Sequence, residues 1–292
     1  MDLLFNDYIV YFVYIVGRGI LGAPNCVFLR RVWEAAPYAK IEANRGAAMN
    51  YKLTIQYDGS RYDGWQKQGN TDNTVQGRLE GVLSRLAGEP VEIHGAGRTD
   101  AGVHAEGQVA SVKLPGSRPA AEVMDYLNRY LPEDIAVVGA EEADDRFHAR
   151  LSAKGKVYRY SIRLGGTPDV FRRKYQYRVE EPLDTDAMDR AAALLCGTHD
   201  FRAFCANKRY KKSTVRTVHA IDIAVCGADM TITYHGDGFL YNMVRILTGT
   251  LIEVGQGLRK PEEMTDILSS LDRANAGKTA PAQGLTLVKV EY

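Results

Sequence analysis

Cysteine is scarce in this sequence of 292 residues, and its apolar runs are short. The spacing between the cysteines is not one that is typical of metal sites. The four are Cys26, Cys196, Cys205 and Cys226. This usage favours the reduced cytoplasm, with the cysteines as small buried side chains. The apolar run at 8–16 is far too short to span a bilayer, and Asp2 and Asp7 stand where a signal peptide needs positive charge. We therefore expect neither membrane insertion nor secretion.

An overall charge is also missing, because the formal net charge is only +1. No global field points to a nucleic-acid partner, so any such function must come from a local patch. The segment 201–221 has no acidic residue and carries six basic ones, Arg202, Lys208, Arg209, Lys211, Lys212 and Arg216. The segment 171–178 adds four more, with aromatic residues between them. These runs suit either a phosphate backbone with bases to stack on or an ordinary solvated surface.

The remaining composition, 45% hydrophobic and 25% charged, suits one large or two medium globular domains. From Met49 the sequence changes character, and the alternation of Tyr51, Leu53, Ile55 and Tyr57 predicts a strand that opens a domain. We predict that residues 1–48 are an upstream extension outside the fold and that Met49 is the true start. The alternative is a genuine targeting or membrane-touching tail.

The spacing of apolar residues predicts an α+β fold in two halves, 49–152 and 153–292. The first half has predicted strands at 51–57, 91–94, 107–114 and 135–141 and predicted helices at 75–87 and 120–130. The second has predicted strands at 156–164, 214–225, 229–235 and 285–292 and predicted helices at 186–196, 239–255 and 261–270. A cleft between the halves is the expected position of a site.

The segment GAGRTDAGVHAEGQ at 95–108 places an arginine and an aspartate on a loop between two predicted strands. A glycine-rich phosphate loop is disfavoured because a carboxylate would repel the anion. A metal site of Asp100, His104 and His94 lacks the usual ligand spacing. Asp100 is then either a turn or cap residue, or a catalytic carboxylate that Arg98 keeps ionised and oriented.

Seven motifs, in order along the chain, together resemble one family, the TruA-type tRNA pseudouridine synthases. The resemblance covers residues 49–292. The motifs are YDGSRYDGWQKQ at 57–68, GAGRTDAGVHAEGQ at 95–108, FHAR at 147–150, KVYRY at 156–160, HDFRAF at 199–204, FLYNMVR at 239–245 and QGLTLVKV at 283–290. The extension at 1–48 is not part of the family pattern.

The resemblance implies two pseudo-symmetric ferredoxin-like (RRM-like) halves that form a long, mostly antiparallel sheet, with a central active-site cleft and helices on one side. It also implies an enzyme that isomerises uridine to pseudouridine at positions 38, 39 and 40 in the anticodon stem-loop of tRNA. Such an enzyme would act in the cytoplasm as a homodimer, without a cofactor or a metal. An RNA-binding protein with paired RRM-like halves is the main alternative, and a metal-dependent hydrolase using Asp100, His104 and His148 is another.

The resemblance further implies a role for five residues. Asp100 would be the catalytic carboxylate, Arg98 would help to extrude the target base and take its place in the stack, and Arg245 would pair with the carboxylate. Tyr158 would stack on the target uracil, and Leu285 would close the apolar side of the pocket. The charge pattern adds four candidate RNA-binding residues, Lys208, Arg209, Lys211 and Lys212.

Overall fold

The computed structural model describes residues 48–207, 209 and 211–292, and this part of the chain has an α+β fold. Its five α-helices are α1 (Val75–Ala87), α2 (Ala120–Tyr130), α3 (Thr185–Leu195), α4 (Met243–Gly255) and α5 (Glu263–Ser270). Its ten strands are β1 (Met49–Tyr57), β2 (Ile93–Gly95), β3 (His104–Leu114), β4 (Ile135–Ala143), β5 (Gly155–Leu164), β6 (Tyr177–Val179), β7 (Gly197–Asp200), β8 (Val215–Cys226), β9 (Asp229–Gly236) and β10 (Leu285–Glu291).

All ten strands form one mostly antiparallel sheet. Eight of them follow the order β4, β1, β3, β10, β5, β9, β8, β7, while β2 pairs with β3 and β6 pairs with β5. The strand β10 therefore lies at the centre, parallel to β3 and antiparallel to β5. It joins strands that precede residue 152 to strands that follow it. The division of the chain into halves at that point stays a prediction.

Alternating burial explains how the strands pack. Successive side chains of a strand point to opposite faces, and in β1 Leu53 and Ile55 are buried whereas Lys52 and Thr54 are half-buried. The helix α1 is amphipathic, with Leu79 and its neighbours in the core. In contrast, α4 is apolar on nearly all sides and is buried along most of its length. The core therefore continues from the sheet into α4, which lies next to the candidate site.

The predicted α+β class and the predicted main strands and helices are confirmed. Three differences stand out. The short strands β6 and β7 were not predicted, and α4 begins at Met243 instead of residue 239. Asn242 explains the late start, because its φ of 59° is left-handed and incompatible with a continuing helix. Among the described residues, no helix has the length and apolar character needed to cross a membrane.

Candidate active site

The loop that carries Asp100 connects β2 to β3 and is held by hydrogen bonds at its base. Ala96 N donates to Val109 O over 2.7 Å, and the buried Gln108 donates through Nε2 to Gly97 O over 2.9 Å. A buried polar side chain that is hydrogen-bonded in this way helps to fix the backbone it contacts. The strand β3 thus holds the path of the loop on its approach to the aspartate.

The segment 57–68 holds the loop from its other side. Trp65 N donates to Thr99 O over 3.0 Å, and the hydroxyl oxygens of Tyr57 and Thr99 lie 2.8 Å apart. Gly64 has a φ of +100°, and a Cβ there would lie only 2.8 Å from Thr99 O. Only glycine fits such a close approach in that conformation. The segment therefore fixes the residue immediately before Asp100.

A cleft of about 650 Å³ opens beside this loop. The described residues that line it include one carboxylate, that of Asp100. They also include four cationic side chains, Arg98, Arg150, Lys156 and Arg209, and three aromatic ones, Tyr158, Phe239 and Tyr241. Leu285 lies in the same wall. The cleft thus combines one candidate acid or nucleophile with groups suited to phosphates and to flat rings.

The carboxylate of Asp100 faces the guanidinium of Arg245, with Asp100 Oδ2 3.4 Å from Arg245 Nη1. The Asp100 side chain is 23% exposed and that of Arg245 is 17% exposed. Burial raises the pKa of Asp100, and the charge and hydrogen bond of Arg245 offset part of that rise. The guanidinium thus lowers this pKa, but burial has the larger effect and the pKa stays above its ordinary value.

Arg245 is held in place by two acceptors besides Asp100. Its Nε donates to Ala280 O over 2.8 Å, and its Nη1 donates to Asn242 Oδ1 over 3.0 Å. Asn242 can adopt its left-handed backbone because asparagine tolerates that region better than most residues. The turn before α4 thus positions the guanidinium against the loop that carries Asp100, although the two residues are 145 positions apart.

Arg98 does not hold Asp100, contrary to the expectation from their proximity in sequence. Its exposed side chain donates from Nε to Gln66 Oε1 over 3.1 Å. Gln66 Nε2 in turn donates to Gln76 Oε1 over 2.8 Å, and Gln76 Nε2 donates to Glu80 Oε1 over 2.8 Å. This chain of hydrogen bonds ends in the buried carboxylate of Glu80. Arg98 therefore lies at the cleft in a supported but accessible position.

Tyr158 and Leu285 lie in adjacent strands and both line the cleft. Tyr158 is only 7% exposed, and its ring meets that of Phe239 edge-on with a centroid distance of 5.3 Å. Burial raises the pKa of its hydroxyl, and the nearby Tyr57 and Asp100 raise it further. The ring of Tyr158 and the carboxylate of Asp100 both belong to the lining of this cleft.

His104 forms contacts that support the structure. Gly59 N donates to His104 Nδ1 over 3.1 Å, so His104 Nε2 donates its proton to Lys174 O over 2.9 Å. His104 Nδ1 also lies 3.2 Å from an oxygen of Asp58. Because this nitrogen accepts the hydrogen bond from Gly59 N, it carries no proton to donate to the carboxylate. In the described part of the chain, no three His, Cys, Asp or Glu residues are grouped so that they could hold a metal ion.

The two basic segments differ in what their side chains contact. In 171–178, Arg172 binds Asp169 and Asp229 through ion pairs of 2.7 and 3.0 Å, and Arg178 binds Glu180 over 2.6 Å. In 201–221, Arg209 lines the cleft, and Lys211 and Lys212 are exposed. Lys208 lies outside the described residues.

Three residues that shape the cleft were missed by reasoning from sequence: Gln66, Lys156 and Asn242. Gln66 contacts Arg98, Asn242 contacts Arg245, and Lys156 lines the cleft next to the loop of Asp100. Each lies inside one of the seven motifs, and that was the one available signal. Their roles depend on contacts between segments far apart in the chain, which residue spacing does not encode.

A single carboxylate among cations and aromatic rings, in a cleft of this size, defines a site suited to an enzyme that acts on nucleic acid. Comparison with known proteins agrees. The sequence pattern of a family described as tRNA pseudouridine synthase matches residues 53–151 and 191–292. The chain belongs to this family. It is thus an isomerase whose substrate is uridine in tRNA, and its likeness to the TruA type is confirmed.

Relatives named tRNA pseudouridine synthase A match over nearly their whole length. The protein from Bacillus sp. (strain KSM-64) is 51% identical over 243 residues, 83% of this chain and 99% of the relative. That of Brevibacillus brevis is 46% identical over 241 residues, 82% of this chain and 98% of the relative. That of Acetivibrio thermocellus is 46% identical over 245 residues, 83% of this chain and 99% of the relative.

Proposed function

We propose that the enzyme converts uridine to pseudouridine at positions 38, 39 and 40 in the anticodon stem-loop of tRNA, with Asp100 as its catalytic carboxylate. The observation that carries the proposal is the position of Asp100. It is the one carboxylate among the described residues that line the cleft, and it faces a fixed guanidinium.

The reaction breaks the N1–C1′ bond of the nucleotide, turns the uracil and forms a C5–C1′ bond. The proton lost from C5 is balanced by the one gained at N1, so atoms and electrons balance without a redox partner. Asp100 would act by attack on C6 of the base, by attack on C1′ of the ribose or by removal of the 2′ hydrogen. Each route begins with the ionised carboxylate, and Arg245 favours that form against the effect of burial.

The neighbours of Asp100 would bind and expose the target base. Arg98 lies on the cleft with a planar cation that can replace an extruded base in the stack. The ring of Tyr158 would stack on the uracil, and Leu285 would close the apolar side of the pocket. Arg245 would hold the carboxylate, since its Nη1 donates both to Asp100 Oδ2 and to Asn242 Oδ1.

The rest of the tRNA would contact the basic segment 201–221. Arg209, Lys211 and Lys212 are available for phosphates, and Lys208 belongs to the same segment. Homodimerisation and action in the cytoplasm, where tRNA is found, remain part of this proposal.

The decisive experiment uses purified protein and unmodified tRNA with uridines at positions 38, 39 and 40, in the presence of a chelator. Pseudouridine should form at these positions, as mapped by chemical sequencing. A matched tRNA with cytidines at the three positions should yield none there. Tight tRNA binding without product would favour the RNA-binding alternative, and product at other positions alone would contradict the assigned target.

A further inference from the structure

Lys156 occupies an unusual place for a lysine. It lies near the start of β5, between Val290 of β10 and Gly236 of β9, and its side chain lines the cleft. Its Nζ packs against Gly97 so closely that a Cβ on Gly97 would lie 2.9 Å away. Gly97 belongs to the same loop as Asp100. The ammonium group is therefore positioned beside the loop that carries the proposed catalyst.

The surroundings of Lys156 disfavour its own charge. Burial lowers its pKa to about 8, and the positive charges of Arg150 and Arg216 act in the same direction. No acidic side chain of the described residues forms an ion pair with it. A cation held in this way is stabilised when an anion enters the cleft.

We propose that Lys156, together with Arg150, forms a subsite for one phosphodiester group of the RNA next to the uridine that Asp100 modifies. This proposal rests on the proposed function. Each nucleotide of an RNA is flanked by phosphodiesters, so a uridine bound at Asp100 brings such a group into the cleft. The group would satisfy the ammonium and would hold the target nucleotide against the Gly97 side of the loop.

The neighbouring exposed cations do not share this arrangement. Lys154 lies two residues earlier and is exposed, and Arg209 is exposed in the basic segment 201–221. An exposed cation contributes to RNA affinity with little cost to the free enzyme. Lys156 differs from them because its partial burial without an acidic partner costs free energy in the free enzyme. Lys154 is therefore a matched control.

Protonation of Lys156 should couple to RNA binding. Below pH 8 the ammonium is charged in the free enzyme, whereas above pH 8 the phosphodiester must draw a proton onto it. The dissociation constant for tRNA should therefore rise as pH increases from 7 to 9. The charged or titratable groups around Lys156 include Arg98, Asp100, Arg150 and Arg216, together with Tyr234 and His235 of β9 and Lys289 and Glu291 of β10. Of these, His235 and Glu291 bind each other over 3.0 Å.

The experiment compares Lys156→Met, Lys156→Arg and Lys154→Met with the parent enzyme. We measure pseudouridine formation, the tRNA dissociation constant as a function of salt and pH, and Tm without RNA. Lys156→Met should weaken tRNA binding about tenfold, flatten the salt dependence by about one phosphate contact and raise Tm. Lys156→Arg should retain affinity but lose the extra pH dependence above 8, since arginine stays charged. Lys154→Met should leave the tRNA affinity and its dependence on salt and pH close to those of the parent enzyme.

A modified RNA identifies the group that is bound. Anticodon stem-loops carry one neutral methylphosphonate, either 5′ or 3′ of the target uridine. One of the two substitutions should weaken binding to the parent enzyme about tenfold and leave Lys156→Met unaffected. If the parent forms no pseudouridine on tRNA, the proposed function fails. If the parent is active but Lys156→Met keeps its affinity, salt slope and response to both methylphosphonates, the subsite is overturned. Should Lys156→Met not fold, an unchanged pH profile in Lys156→Arg overturns it.

Discussion

Two opposing influences act on the carboxylate of Asp100. Burial disfavours its charge, whereas the guanidinium of Arg245 at 3.4 Å favours it, and burial has the larger effect on its pKa. A partly desolvated carboxylate is also a stronger base and nucleophile than one in water. The guanidinium keeps the ionised form accessible without forming a short, tight ion pair. This balance suits a carboxylate that must react and not merely support the loop.

We expect Asp100→Asn to abolish pseudouridine formation while leaving tRNA affinity and Tm nearly unchanged. The amide preserves the size of the side chain but removes the nucleophile and the base. Rates on tRNA, a binding titration and a thermal melt measure the three properties. Asp125→Asn, an exposed change on α2, is the control and should retain full activity. A rate close to the parent in Asp100→Asn would show that another group carries out the reaction.

We expect Arg245→Met to move the acid limb of the pH–rate profile to higher pH. The reaction needs ionised Asp100, so its rate falls as pH falls through the pKa of that carboxyl. Removal of the positive charge that lowers this pKa raises it, and the limb follows. Profiles of kcat/KM against pH measure the shift. Arg98→Met should lower the rate without moving the limb, because Arg98 contacts Gln66 instead of Asp100.

At the scale of elements, local sequence predicted most of the fold. The alternation in β1 and the apolar spacing of α1 are long, regular patterns, and the helix occupies the predicted range of 75–87. In contrast, β6 and β7 have three and four residues, too few for a period to emerge. The start of α4 depends on one left-handed residue, Asn242, whose conformation suits its contact with Arg245.

The site was predictable as a set of residues, and the resemblance also implied the contact of Arg245 with Asp100, but residue spacing alone predicted none of the contacts. The motifs pointed to the residues that line the cleft, with Arg245 directly behind Asp100. Proximity in sequence nevertheless suggested Arg98 as the partner of the carboxylate. The actual partner comes from α4, and the support for Arg98 comes from the segment 57–68. Such pairings follow from how the elements pack, which no local pattern contains.

We expect the basic segment 201–221 to contact phosphates of the tRNA. Replacement of Lys208, Arg209, Lys211 and Lys212 by glutamine should weaken binding and flatten its salt dependence, by a slope of about 0.7–0.9 for each phosphate that the segment no longer neutralises. The dissociation constant at several salt concentrations measures both effects. Tm should stay within a few degrees of the parent, because Arg209, Lys211 and Lys212 are exposed.

A control for the variant of the basic segment removes positive charge elsewhere on the surface. Arg190 on α3, Lys260 before α5 and Lys113 on β3 are exposed and lie outside the cleft lining. Their combined replacement by glutamine should leave the salt slope close to that of the parent. If the variant of the basic segment keeps the salt dependence of the parent, that segment belongs to an ordinary solvated surface.

At the scale of the whole molecule, we expect a variant that begins at Met49 to fold, dimerise and modify tRNA as well as the full chain. The strand β1 begins at Met49, which pairs with Leu114, so the sheet needs no earlier residue for this register. Size-exclusion chromatography, a thermal melt and the rate of pseudouridine formation test the three properties. Reduced solubility or activity would show that residues 1–48 contribute to the working protein.

The central place of β10 also governs the order in which the molecule can be completed during translation. The ribosome makes the other nine strands before β10, yet β10 lies between β3 and β5. Until it emerges, the segments 104–105 of β3 and 155–160 of β5 lack the partner that β10 provides. Unpaired strand segments are templates for misassociation between nascent chains. Leu285, in the wall of the cleft, arrives with the same strand. A chain interrupted before β10 would therefore lack both its sheet junction and a wall of its site, and would be inactive and prone to aggregate.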